Sequence, residues 1–414
     1  MPKREGDAVT HGRIAILGGG MLGVCTALEL ARRGRHVTLV DSASGVLQGA
    51  SRWNEGKIHL GFLYAADPTL NTARRLIPGG LAFPGLVARL VGRSVDAFAT
   101  GDDDLFLVHR DSVVDAGSFL AYAVRTASLV REAAGESGAG RYLSDVGGAT
   151  IRPLSSSELA AATVSDDVVA GCHVPERSIS TVAIADLLSD AVRDEDHIET
   201  RADTWITGVR RRDDGRLDVL TNVPGDDLRS FDVVVNALWE GRPAVDATLG
   251  IEPPAPWSYR FRAALFGHVP ESRIRSAMLC TGPFGDVKRY GDGRVYLSWY
   301  TSGLLAEGHA MEPPRSAAEL TPARSAEVMQ GTFDGLSKFF PAVRELQREA
   351  DALEVQGGWV YAIGQGSLAD RASTLHQRDK FNLTVDRGYI SVDTAKYSLA
   401  PWLADHVARM IAES

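Results

Sequence analysis

The chain has 414 residues, enough for two or three domains at about 150 residues each. Apolar residues make up 44% and charged residues 23%, which excludes a disordered chain, a collagen-like repeat and a small disulfide scaffold. With 53 acidic against 44 basic residues the net charge is −9, and without a basic block the chain is a poor candidate for nucleic acid or an anionic membrane.

The three cysteines, Cys25, Cys172 and Cys280, match no zinc or redox spacing, so no metal is expected and a reducing cytoplasm is the simplest setting. Lys3 and Arg4 before the apolar residues 14–28 have the outline of a signal peptide. Gly18, Gly19, Gly20 and Gly23 interrupt the run, no small-residue cleavage site follows and Glu29 ends it. No run reaches about 18 apolar residues, so no membrane span is expected.

Residues 13–17 read as a buried strand, 24–33 as a helix stopped by Gly34, and 36–40 as a second strand closed by Asp41, the proportions of a βαβ unit. Residues 51–64 read as an extended, glycine-punctuated loop. Asp67 and Pro68 predict a capped helix through Leu76. Residues 85–165 mix helices with loops, one of them at 132–140. A helix is expected at 181–192, a hairpin at 204–210 and 216–221 turning at Asp213-Asp214-Gly215, and a buried strand at 231–236. Antiparallel strands are expected at 259–269 and 287–300, the latter turning at Gly291-Asp292-Gly293. Helices follow at 325–340 and 343–353, then a strand at 388–392, a loop, and a helix over 400–411. There is no internal repeat and no linker, and the order suggests two interleaved domains.

Gly18-x-Gly20-x-x-Gly23 falls between the first strand and helix. Its glycines suit a tight turn, a close approach to a pyrophosphate, and helix-on-strand packing, while the helix start offers free N–H groups to phosphate. Asp41, at the end of the second strand, can accept ribose hydroxyls and would repel a 2′-phosphate, which favours FAD or NAD over NADP.

Together with Gly49-Ala50-Ser51-Arg52-Trp53-Asn54-Glu55-Gly56, this unit resembles the D-amino-acid oxidase superfamily of FAD oxidoreductases, which includes glycine oxidase and sarcosine oxidase. The resemblance implies a Rossmann-type FAD-binding domain interleaved with an α+β substrate domain built on an antiparallel sheet. The expected boundaries are 1–84, 165–248 and 355–414 for the first, and 85–164 and 249–354 for the second. It places Gly18, Gly20, Met21, Leu22, Gly23, Asp41 and Ser42 on the dinucleotide, and Ser51, Arg52, Asn54 and Gly56 against pyrophosphate and flavin. Ile206 falls at the adenine contact, Ala237 closes a family strand, and Lys396 and Tyr397 lie in the closing loop beneath the flavin pyrimidine. Three departures stand out. Leu238-Trp239 replace the usual alanine-glycine, residues 393–397 replace several glycines, and residues 357–361 lack the arginine that holds a substrate carboxylate in glycine oxidases.

Lys396 is the candidate for the charge at flavin N1 and C2=O, against a solvated surface lysine. His59 is a candidate base or flavin neighbour with a near-neutral pKa, against a satisfied structural histidine. Arg260 and Arg262 share one strand face and, with Arg289, could meet an anionic substrate, against a solvated sheet face. Tyr300, with Trp299, Trp359 and Tyr361, could shape an apolar pocket, against core packing. Cys25 reads as packing. The leading expectation is FAD-dependent removal of a hydride from the C–N bond of a small amine or amino-acid-like substrate. The product imine would then hydrolyse, and oxygen or an electron carrier would reoxidise the flavin. The alternatives are oxidation of a C–OH bond in a hydroxyacid or (amino) sugar, as in a biosynthetic tailoring enzyme, an NAD enzyme, and a non-catalytic nucleotide-binding protein.

Overall fold

The computed structural model describes residues 12–137, 142–223, 225, 228–253 and 256–413. The buried strand Ile14–Leu17 forms the centre of a six-stranded sheet. Val37–Val40 and then Ile198–Arg201 lie on one side of it, and Val233–Asn236, Tyr389–Val392 and Leu383–Asp386 on the other. All pairings are parallel except that of Leu383–Asp386. Parallel strands need cover on both faces. Helices Met21–Ala31 and Ala400–Glu413 pack on one face, and the three-stranded sheet Ile206–Arg211, Leu217–Thr221 and Leu228–Phe231 packs on the other. The expected single strand at 231–236 is therefore two: Phe231 ends a strand of the small sheet, and Val233 opens one of the large sheet.

The second large sheet runs in the order Leu304–Gly308, Trp257–His268, Arg294–Trp299, Gly285–Arg289, Ala277–Cys280, Leu105–His109, Val168–His173 and Arg152–Pro153. Leu353–Ile363 pairs along Trp257–His268. Both Val168–His173 and Leu353–Ile363 thus belong to this sheet, so it extends beyond the boundaries expected at 165 and 355. Side-chain alternation divides its faces. Ala263, Leu265, Val287 and Leu297 join an apolar core with Phe333 and Leu336 of the helix Pro322–Leu336. Arg260, Arg262, Asp286, Lys288 and Ser298 occupy the alternate positions.

Some boundaries move for local reasons. The helix expected from Pro68 begins at Asn71, because Leu70 takes a left-handed conformation (φ 64°). The Asp67 carboxylate instead accepts from the backbone and hydroxyl of Thr69 and from the Thr72 hydroxyl. The same helix passes Leu76 and runs to Val91, with Pro78 and Pro84 inside it. A Cβ at Gly80 would lie 2.3 Å from the His59 carbonyl oxygen, so the glycines after Pro78 let this helix press against the His59 segment. The loop expected at 132–140 is helical through Ser137, and its remainder lies outside the described residues. The helix expected at 343–353 ends at Leu346, and Leu353 already opens the long strand.

Candidate active site

Ligands of parallel α/β sheets sit beyond the carboxyl ends of the strands. Here Gly18–Gly20 and Asp41 occupy those ends, and a cavity of about 970 Å³ extends from them to the charged face of the second sheet. Gly18 turns with φ +99°, and a Cβ there would lie 2.7 Å from the Ala237 carbonyl oxygen. A Cβ at Gly23 would lie 1.8 Å from the Gly18 carbonyl oxygen, so helix and turn pack with no room for a side chain. No side chain caps the helix start at Gly20. Asp41 accepts from the backbone N–H of Gly19 at 2.6 Å and of Ala43 at 2.8 Å. Burial raises its pKa, partly countered by those bonds. The Met21 N–H donates to Ser51 Oγ at 2.8 Å, which ties the 49–56 loop to the helix. An uncapped helix start, a turn without side chains and a carboxylate at the second strand end fit the phosphates and ribose of FAD.

Most of the expected cofactor contacts line this cavity: Gly18, Gly20, Met21, Leu22, Asp41, Ser42, Ser51, Asn54, Ile206, Ala237, Lys396 and Tyr397. Three do not. Gly23 is a packing position. The Arg52 guanidinium turns away to Asp186 at 2.6 Å and the Leu47 carbonyl at 3.3 Å. Gly56 (φ +61°) is a close-approach point, where a Cβ would lie 1.8 Å from the Ile179 carbonyl oxygen.

Two departures from the family pattern have a backbone cost. Trp239 and Ala395 hold positive φ angles, 56° and 51°, where glycine is favoured. Trp239 is held by its Nε1 donating to the Trp359 carbonyl at 2.8 Å and by an edge contact with Tyr361. At the cofactor end, the segment with Glu312, Pro313, Pro314 and Arg315 lines the cavity beside Trp205 and Ile206. The Arg315 guanidinium stacks 3.4 Å from the Trp205 ring centroid.

The catalytic candidates converge at the other end, where His59, Lys396, Arg260, Arg262 and Tyr300 all line the cavity. Arg260 is 4% exposed; its Nη1 donates to the Tyr300 hydroxyl at 3.3 Å, and its Nε and Nη2 have no partner. The Arg262 guanidinium lies 4.1 Å from the Tyr300 ring centroid. His59 is buried, with Nδ1 unpartnered and 3.9 Å from Glu176 Oε1. Burial, then Lys396, Lys57 and Arg378, hold its pKa well below the ordinary value. The expected near-neutral histidine is thus a neutral ring that resists protonation. Lys396 lies over the Tyr64 ring, 5.6 Å from its centroid, and burial followed by Arg378 lowers its pKa to about 7. Trp359 lines the cavity, whereas Trp299 stacks on Phe339, Tyr361 meets Arg242, and Arg289 donates to the Pro270 carbonyl. Cys25 is buried in packing.

Sequence reasoning missed four features here. Arg378, 7% exposed, lines the cavity from the loop before Leu383–Asp386, so an arginine reaches this wall from outside residues 357–361. It lies in an aperiodic polar stretch that carries no signal. Asp286 lines the cavity; Ser298 donates to its Oδ1 at 2.6 Å, its Oδ2 has no partner, and burial raises its pKa. Behind it, Asp104 accepts from the ammonium groups of both Lys57 and Lys288, all fully buried. Burial opposes charge on Asp104, but the two lysines outweigh it and lower its pKa. Strand alternation alone would have placed Lys288 on the charged face. Glu240 lines the cavity near Asp41, and burial raises its carboxyl to about 7.

Several solved structures share this fold over nearly the whole chain. A glycine oxidase from Geobacillus kaustophilus is 14% identical, with 97% of this chain and 95% of that one covered and a TM-score of 0.67. An L-proline dehydrogenase from P. horikoshii is 16% identical, with 97% and 93% covered and a TM-score of 0.64. An L-α-glycerophosphate oxidase from Mycoplasma pneumoniae with FAD bound is 15% identical, with 97% and 95% covered and a TM-score of 0.64. No curated protein sequence matches the chain. Residues 13–410 match the FAD dependent oxidoreductase (DAO) family. The chain belongs to that family, and FAD is its cofactor.

Proposed function

We propose that this enzyme oxidises the C–N bond of a small amine that carries an acidic group. The observation behind the reading is Arg260, a buried guanidinium in the cavity with two unpartnered nitrogens and only a tyrosine hydroxyl as its neutral neighbour. Such a donor is completed by a carboxylate or a like anion. When bound, FAD would supply the acceptor for a hydride lost from the substrate carbon. The amine gives up a proton, and water hydrolyses the resulting imine to a carbonyl and a free amine. Oxygen or an electron carrier takes the electrons afterwards.

In this reading the glycine turn, Asp41, Ser51 and Ile206 would hold the cofactor, and Lys396 would supply positive charge for the flavin N1 and C2=O. Tyr300 sets the Arg260 fork, and neutral His59 walls the reacting end without adding charge. The reading divides the chain into two domains, with Val168–His173 and Leu353–Ile363 on the substrate side. A cytoplasmic location rests on three free, buried thiols.

A second reading, oxidation of a C–OH bond, is favoured by Lys396. With a pKa near 7, its free amine can take an alcohol proton. Anaerobic mixing with amines and with hydroxyacids tests both: bleaching with one equivalent of amine or ammonia released supports the first, and bleaching with ketone alone supports the second. A colourless protein that takes up no FAD overturns both.

A further inference from the structure

Three arginines line one end of the cavity, which is more than a single acidic group can satisfy. Arg260 and Arg262 sit two residues apart on a strand whose pairing with Leu353–Ile363 is unbroken, so their backbones lie about 7 Å apart on one face. Tyr300 stands between them, with its hydroxyl on Arg260 and its ring face on Arg262. Arg378 enters from a different loop and is buried against the same space. Nitrogens of all three are buried without a partner: Nε and Nη2 of Arg260, Nε of Arg262 and Nη1 of Arg378. Among the described residues none of the three guanidiniums forms an ion pair.

A guanidinium stays charged at any working pH and cannot relieve this arrangement by losing a proton. Buried charges persist where a counter-charge arrives, and each planar fork matches one carboxylate or phosphate. One acidic group can be shared by the Arg260 fork and a neighbour. Arg378 lies beside Arg260, so the remaining guanidinium, Arg262 across the Tyr300 ring, then faces the cavity uncompensated. Nearby acids do not fill the role. Asp286 is held by Ser298, Glu176 is bound to the Leu60 N–H beside Lys57, and Asp393, which faces Arg378, is paired with Arg242 and accepts from the Ala395 N–H. Neither these nor Glu55 on the cavity wall forms an ion pair with one of the three guanidiniums among the described residues.

We propose that the substrate carries two acidic groups, one held by Arg260 with Arg378 beside it and the second on Arg262, across the Tyr300 ring. This rests on the substrate site assigned above, but not on which bond is oxidised there. The partner chemistry is a compact dianion, either two carboxylates or a carboxylate with a phosphate-like group.

Calorimetric titration of the FAD-loaded enzyme with unreactive acids tests this without turnover. Malonate, succinate and glutarate are compared with propionate and butyrate, and phosphonoacetate with acetate. The expected result is one dianion bound per chain, with a Kd at least about tenfold below that of the best monoacid. In Arg262→Met that ratio should fall to about threefold or less while the protein stays yellow, whereas Arg378→Lys should weaken mono- and diacids alike. Equal affinity for mono- and diacids, or two monoacids bound as tightly as one diacid, overturns the proposal. If diacids are preferred but only diacid alcohols bleach the flavin, the C–N reading fails and this one stands. If monoacid amines bleach it with no gain from a second acid, the reverse holds.

Discussion

The Tyr300 hydroxyl accepts from Nη1 of Arg260 at 3.3 Å, and so fixes the direction of a guanidinium that has no acidic partner. Removing that hydroxyl in Tyr300→Phe should weaken substrate binding by about 1 kcal/mol, roughly fivefold in Kd, with a smaller change in the rate of flavin reduction. Stopped-flow reduction over a substrate series separates the two. A change in rate alone would mean that the hydroxyl acts on the reaction rather than on Arg260.

Gly23→Ala should give a protein without flavin colour. Its Cβ would sit 1.8 Å from the Gly18 carbonyl oxygen, which forces the phosphate turn apart. Gly34→Ala is the control. Gly34 has a positive φ (73°), unlike the helical Gly23, and no atom lies within 4 Å of a Cβ there, so the variant should lose about 1 kcal/mol of stability and keep its FAD. Absorbance spectra and thermal melts of the two variants check the contrast.

Lys396 should impose a pH dependence. Burial, and Arg378 after it, lower its pKa to about 7, so the ammonium is present below that pH and lost above it. Flavin reduction that depends on this charge should slow as pH rises through 7, and Lys396→Met should flatten the profile and lower the flavin potential. Stability of the FAD-free protein moves the opposite way. The unfolded chain holds the lysine proton up to the ordinary lysine range while the folded chain releases it near 7, so the stability contribution of this group grows as pH rises between those values. A denaturant series on apo wild type and Lys396→Met measures the difference. His59 adds no titration near neutrality in either experiment.

Asp104→Asn should be among the most damaging single changes outside the cavity. It removes the one carboxylate that both Lys57 and Lys288 touch, leaving two buried ammonium groups together, at a cost of about 3–5 kcal/mol. Asp190→Asn, which breaks the exposed pair with Arg193, should leave stability nearly unchanged. Urea unfolding of the two variants decides whether the buried tie carries this load.

Where local pattern and tertiary role coincide, the sequence is readable. Residues 13–41 could be placed because a turn with φ +99° at Gly18, an apolar strand and a closing acid each leave a distinct trace. Arg260 and Arg262 were legible as a pair because strand alternation puts them on one face. Arg378 was not, since its position depends on how a coil without periodicity packs against Thr72 and the cavity. Arg52 shows the opposite limit: it stands in a recognisable motif, yet Asp186, 134 positions away, takes its guanidinium. The length of the helix through Pro78 and Pro84 is not legible, because local propensity says nothing about the contact between Gly80 and the His59 backbone that makes glycines useful there.

The stacking of Arg315 on Trp205 joins the segment after the second sheet's strand Leu304–Gly308 to a residue just before the small three-stranded sheet. A single stacked pair of this kind is worth about 0.5–2 kcal/mol. That is far below the cost of separating two packed sheets. The cofactor end of the cavity is therefore latched in part by side chains, whereas Arg260 and Arg262 at the other end are welded into one continuous strand pair.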